Sequence, residues 1–499
     1  MSYAGKTQTL NYDNDGLLIT AGNFTIARNT ANGLPESITD GTLTNTRVFS
    51  GYGELDGYSY KVNSNGVYTV LMTRDSAGRI TQKTEAIGAE TNIYDYTYDT
   101  LGRLTEVKKN GIISEHYTYD ADGNRMTDGR RSYVYSAEDH LITAGTDNYQ
   151  YNADGFLLSK TTSMGTTTYN YLTRGELLDA LLPSGTSISY DHDATGRRIA
   201  KRVNGSITEK YLWQDAITLL AVYDSNDNLK TRFNYADDRM PVSMTQNGQT
   251  YYLAYDQVGS LRVVTDASGN AVKKIDYDSF GNIINDTNPQ MSIPLGFAGG
   301  LHDRDTNLVR FGARDYDPAI GRWTVKDPID FRGGLNVFNY VEADPVNGID
   351  PWGLAGVGFI FPGGSIEGGL VAVGAGATGS AGGGVFWGGP QGTNVGGFAS
   401  FGAFAGGPNY GHSYPSGNSS NVAGGAFAGG GGGFFITNAT CANQLSGPFD
   451  TYSFNIGVGP FKVSVQVGVS NGTWIGSATF GPGIGISGSG YQTNTWTTK

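Results

Sequence analysis

The sequence predicts an all-β chain: a run of β-hairpins joined into a curved repeat sheet, followed by a separate glycine-rich β domain. Three observations carry this prediction. A tyrosine–aspartate unit returns throughout the first 290 residues. The segments between its copies alternate aromatic with small polar side chains, the period of a strand with one packed face. At Leu354 the composition changes abruptly: 40 of the 75 glycines lie beyond it. The expected organisation is therefore repeats over 1–290, a closing segment over 291–354, and a variable tail over 355–499.

The repeat unit is an aromatic, an Asp or Asn, a short polar stretch, a Gly, then a basic or apolar residue. It reads YDNDGLL at Tyr12, RDSAGRI at Arg74, YDTLGRL at Tyr98, YDADGNR at Tyr119 and YNADGFL at Tyr151. It returns at Tyr171, Tyr190, Tyr223, Tyr255 and Tyr277. Spacings near twenty residues fit a strand–turn–strand unit, and a fixed period in that range marks a repeat architecture. Asp-x-x-Gly supplies the hairpin turn, with Gly at the positive φ. Segments such as Tyr94–Tyr98 (YDYTY) then place aromatics on one face, to be laddered across neighbouring strands.

The closing segment contains the one constellation that points to chemistry. Between Arg314 and Leu354 stand four Asp-Pro steps, two of them in related frames: DPIDF at Asp327–Phe331 and DPWGL at Asp350–Leu354, with eighteen residues between. Each Pro fixes its own φ and pushes the preceding Asp into extended backbone, so both carboxylates are displayed from rigid turns. Gly333-Gly334 and Gly348 permit a sharp path between them. Two readings stay open from spacing alone. Asp-Pro pairs initiate turns; two carboxylates brought together can also share the work of peptide hydrolysis, one ionised and activating water, the other protonated and polarising the carbonyl.

This stretch, with GFAGGLHDRDTNLVRFGARDYDPAIGRW ahead of it, resembles the closing segment of the Rhs/YD-repeat core of bacterial polymorphic toxins and of the C components of Tc toxins. The resemblance covers residues 1–354. It implies a hollow β shell and an intramolecular aspartyl autoprotease that cuts after the Leu of the second motif. Carried onto this chain, Asp327 and Asp350 become the catalytic pair, Leu354–Ala355 the scissile bond and Arg322 the supporting cation. Asp330 and Phe331 depart from the family's Gly and Leu in the first motif, which puts the local turn in question. The resemblance also implies a shell that packages its own tail as cargo, a shell-completing or secretion-system partner, and an immunity protein.

Charge and composition bound the rest. The net charge is -12, and residues 1–354 carry 32 of the 34 basic and 44 of the 46 acidic side chains. No basic stripe invites nucleic acid. Cys441 is the single cysteine, so neither an intrachain disulfide nor a Cys-cluster metal site is expected, and no cofactor is implied. The opening MSYAGKTQTL lacks a signal-peptide pattern, so an extracellular or surface location implies another export route. In the tail, Tyr452–Ser470 alternates apolar with small or polar residues. That suits a soluble sheet or membrane-inserting hairpins. The tail's candidate chemical groups are Glu367, His412, Cys441, Asp450 and Lys462. They are too sparse for most enzyme sites, so action by binding or insertion is expected. His302 and Arg304 are assigned to the shell fold. The competing function is a non-catalytic surface repeat protein for adhesion or assembly, in which the Asp-Pro turns are purely architectural.

Overall fold

A computed structural model of the chain describes residues 2–237 and 239–354, together with the backbone of eight strands between Ala381 and Thr495. Its residues form two compact units, Met1–Ser365 and Ile366–Lys499. In the first unit the strands pair strictly in chain order. Eleven, from Leu10–Tyr12 to Ile112–His116, make one antiparallel sheet, and sixteen, from Tyr133–Tyr135 to Ile283–Asp286, make a second. A four-stranded sheet of Leu301–His302, Val309–Phe311, Arg314–Asp317 and Arg322–Trp323 follows. The expected all-β repeat sheet is what forms, with the repeats ending at Asp286. In the second unit Gly447–Val458 and Phe461–Ser470 pair antiparallel, where the alternation of 452–470 predicts strands.

The YD unit shows why its residues recur together. At the Asp99 turn the carboxylate accepts the backbone N–H groups of Leu101 (2.9 Å) and Arg103 (3.0 Å), satisfying a turn that would otherwise leave donors unpaired. Its other oxygen holds the Arg103 side chain at 2.6 Å. That guanidinium lies over the Tyr119 ring of the next repeat, 4.9 Å from its centre. Gly102 takes φ +88°, a conformation that a side chain would strain. At these repeats the tyrosine hydroxyl reaches back one repeat: Tyr98 donates to the Ile80 carbonyl at 2.7 Å and Tyr119 to the Leu104 carbonyl at 2.7 Å. Asp caps the turn, Arg links forward and Tyr links backward, so neighbouring hairpins are fixed in register.

The inner faces of the two large sheets meet in one core. Ile38, Tyr68 and Leu104 of the first share a cluster with Tyr252, Ala254 and Val263 of the second. Polar groups cross the same seam. Arg262 donates to Glu85 at 2.7 Å, with both side chains almost fully buried, and Tyr252 donates to Asp40 at 2.9 Å. Glu115 accepts the Ser279 N–H at 3.1 Å and the Tyr117 hydroxyl at 2.6 Å. Beside it, burial and the Glu115 charge push the Asp278 carboxyl up to about 7. A folded-state value above the unfolded one means that Asp278 contributes stability below about pH 4, which is lost as pH rises through about 7. Wild-type resistance to urea is therefore expected to fall between pH 5 and pH 8. Asp278→Asn should reduce that fall and leave the variant the more stable form at pH 8. An unchanged slope in the variant would remove Asp278 from the account.

Candidate functional site

The site grows out of the small sheet. In Arg314–Asp317, alternation puts Arg314 and Tyr316 on one face and Asp315 and Asp317 on the other. Tyr316 stands opposite Trp323 and Asp317 opposite Arg322 in the neighbouring strand. The first face is a dense aromatic cluster: Phe297, Phe311, Tyr316, Trp323 and Tyr340 are all buried, with the Tyr316 and Tyr340 rings 4.6 Å apart. Arg314 is 1 % exposed and lies on this wall, its guanidinium carbon 4.1 Å from the Trp323 ring centre.

From there Arg314 gathers the two Asp-Pro turns. Its Nη2 pairs with Asp327 Oδ2 at 2.7 Å and with Asp350 Oδ2 at 3.2 Å. Its Nε donates to the Gly353 carbonyl at 2.6 Å and its Nη1 to the Val337 carbonyl at 3.2 Å. Both carboxylates are buried. The turn Asp350–Leu354 is seated backbone to backbone on the hairpin 311–314: Ala313 N–H donates to the Trp352 carbonyl at 2.8 Å. A Cβ on Gly353 would stand 2.4 Å from the Phe311 carbonyl oxygen, closer than real Cβ contacts come.

The bond after Leu354 begins inside this arrangement. The Leu354 N–H donates to Asp350 Oδ1 at 3.1 Å. The Leu354 carbonyl oxygen and Asp327 Oδ2 approach one point beside Gly333, where a Cβ would be 3.2 Å from the first and 2.3 Å from the second. Burial pushes the Asp327 carboxyl up, Arg314 and the Ile329 N–H pull it down, and the charges of Asp350 and Asp330 add to the rise; the result is about 6. At neutral pH this carboxyl retains a minor protonated population that a carboxyl at the ordinary value lacks.

The departure at Asp330 leaves the first turn intact. Asp330 takes φ +52° where Gly353 in the second motif takes φ +63°. Asp is among the few side chains that tolerate this left-handed region. The closing bonds correspond as well: Asp330 N–H to the Asp327 carbonyl at 2.9 Å, and Gly353 N–H to the Asp350 carbonyl at 3.3 Å.

Most of the shell matches a known family: the Teneurin YD-shell profile covers residues 2–344. This chain belongs to the Teneurin YD-shell family. Among curated relatives of the YD-shell, mouse Teneurin-4 is 30% identical over 300 residues, which are 58% of this chain and 11% of that protein. Zebrafish Teneurin-3 is 29% identical over 331 residues, 62% of this chain and 12% of that protein. The chain thus spans about a tenth of the length of these relatives. The crystal structure of TcdB2-TccC3-TEV shares 16% identity over 66% of this chain and 21% of that chain, at a TM-score of 0.43, too loose an overlay to bear on function. The expected YD-repeat shell is thereby met, as a Teneurin YD-shell. The family match stops short of Asp350, so the paired motifs rest on their own geometry.

Of the sequence-predicted residues, Asp327 and Asp350 are brought together and Leu354 lies between them; Ala355 falls outside the described residues. Arg322 is corrected. It stands opposite Asp317 on the face away from Trp323, where it donates to Asn124 Oδ1 and the Asp139 carbonyl, both at 2.7 Å. The cation of the pair is Arg314, one alternation step before Tyr316 on the aromatic face. Sequence reasoning missed it: the period of two in RDYD puts Arg314 and Tyr316 on one face but does not say which face meets the Asp-Pro turns. His302 packs its Cβ against Gly296, and burial pushes its imidazole down to about 4, in keeping with a structural role. Glu367, His412 and Cys441 lie outside the described residues, as do the side chains of Asp450 and Lys462.

Proposed function

We propose that this YD-shell protein cuts its own chain once, between Leu354 and Ala355, and so releases residues 355–499. The observation that carries the reading is the convergence of Asp327 and Asp350 on one guanidinium, with the amide of Leu354 on Asp350 and its carbonyl beside Asp327. In this reaction ionised Asp350 takes a proton from water as the water oxygen adds to the Leu354 carbonyl carbon. Protonated Asp327 gives its proton to the carbonyl oxygen. As the intermediate collapses, Asp327 recovers that proton, the C–N bond breaks, and the proton held by Asp350 passes to the Ala355 nitrogen. The products are the Leu354 carboxyl group and the Ala355 amine. Arg314 keeps one carboxylate ionised beside the other and fixes the distance between them.

Within this reading the chain acts as a toxin of the Rhs type. The shell delivers the nearly uncharged tail outside the producing cell, and the tail acts by binding or membrane insertion. Its partners are the tail itself, a shell-completing or secretion-system protein, and an immunity protein. Support comes from the motif resemblance and from the break in composition at the cut site.

One observation favours a second reading, an architectural adhesion or assembly shell. A buried guanidinium paired with two carboxylates is also what a purely structural lock of two turns would use. A denaturing gel separates the two. Freshly purified wild type should run as two bands, the smaller starting AGVGF by N-terminal sequencing, and Asp350→Asn should run as one. Wild type that stays a single band at pH 5 and pH 7 after long incubation would leave the architectural reading standing.

A further inference from the structure

We propose that Gly333 is the positioning residue of the cleavage site: its bare Cα is what lets the Asp327 carboxylate lie against the chain beside the Leu354 carbonyl. This rests on the proposed self-cleavage and names a determinant of it on the loop between the two motifs.

Glycine is usually demanded by backbone conformation, and here it is not. Gly334, Gly321 and Gly353 take φ of +135°, +67° and +63°, where a side chain would be strained. Gly333 lies outside that positive-φ region, in the short 3-10 turn Asp330–Gly333. The demand is steric and comes from the site alone. A Cβ at 333 would stand 2.3 Å from Asp327 Oδ2, 2.8 Å from its Cγ and 3.2 Å from the Leu354 carbonyl oxygen. The first two contacts are impossible for real atoms. Asp327 has little freedom to give way: its Oδ2 is held by Arg314 at 2.7 Å and its Oδ1 by the Ile329 N–H at 2.9 Å. One methyl group at 333 must therefore move the carboxylate off the guanidinium and away from the carbonyl.

The test compares wild type with Gly333→Ala, each recovered uncut in urea from inclusion bodies and refolded across pH 5 to pH 9, following the AGVGF-starting fragment on denaturing gels and, for the variant, the cooperative unfolding of the uncut chain. Gly333→Ala is expected to slow cleavage about a hundredfold, the cost of misplacing a reacting group by about 1 Å. It should keep a single cooperative unfolding transition. Its residual rate should lose activity at higher pH than wild type does, because a carboxyl displaced from Arg314 is harder to ionise. That shift distinguishes a moved acid from a generally loosened fold. If Gly333→Ala cleaves at the wild-type rate, or slows with an unshifted pH profile, Gly333 has no positioning role and the self-cleavage reading stands. A wild type that never cleaves would remove the reaction and this inference with it.

Discussion

Cleavage after Leu354 is expected to be fastest below about pH 6 and to slow about tenfold for each pH unit above it. The direction follows from which form of Asp327 works. In the proposed reaction its carboxyl must be protonated to polarise the Leu354 carbonyl, so the active fraction falls once pH exceeds the value of about 6 at which it titrates. An ordinary aspartate would have placed this limb near pH 4. The exposed Asp330 carboxylate is one cause of the rise, so Asp330→Asn should move the limb downward. The measurement is the rate of fragment appearance after dilution from urea, buffered at half-unit steps. A rate that is flat or climbs between pH 6 and pH 8 would exclude Asp327 as the acid.

The largest effect on folding is expected at the seam. Arg262→Ala should destabilise the shell unit by roughly 3 kcal/mol, because it takes from buried Glu85 the guanidinium that pairs both its oxygens and leaves Lys83, 4.0 Å away, as the remaining cation. Glu85 is 1 % exposed, and its carboxyl is held down at about 2 by Lys83 and Arg262 against the upward push of burial. Arg262 also ties the seam to Asp276 at 2.8 Å. By contrast, Arg202→Ala breaks an ion pair with Asp191 whose side chains are 34 % and 40 % exposed, and should cost far less. Urea unfolding of both variants at pH 7 tests the contrast. Equal losses would mean that the buried pair does not join the sheets energetically.

Much of this molecule is legible in its residue order. The Asp-x-x-Gly turn, the Tyr before it and the Arg after it are local or one repeat away, so a twenty-residue period is enough to predict turn, strand face and neighbour. Strict chain-order pairing follows, because each hairpin finds its partner in the next. The Asp-Pro frames fix the two carboxylates for the same reason: Pro acts on the residue directly before it.

Tertiary structure alone decided which cation serves those carboxylates and what surrounds them. Arg314 and Arg322 lie in adjacent strands, and sequence spacing does not say which of them faces the pair. The choice was made by cross-strand register, which set Trp323 opposite Tyr316 and so turned Arg314 toward the aromatic wall and Arg322 toward Asn124. The raised Asp327 carboxyl, the steric demand at Gly333 and the ion pair between Glu85 and Arg262 likewise join separate segments, up to 177 positions apart. Burial and charge act through space at such separations, and a sequence pattern records only what acts along the chain.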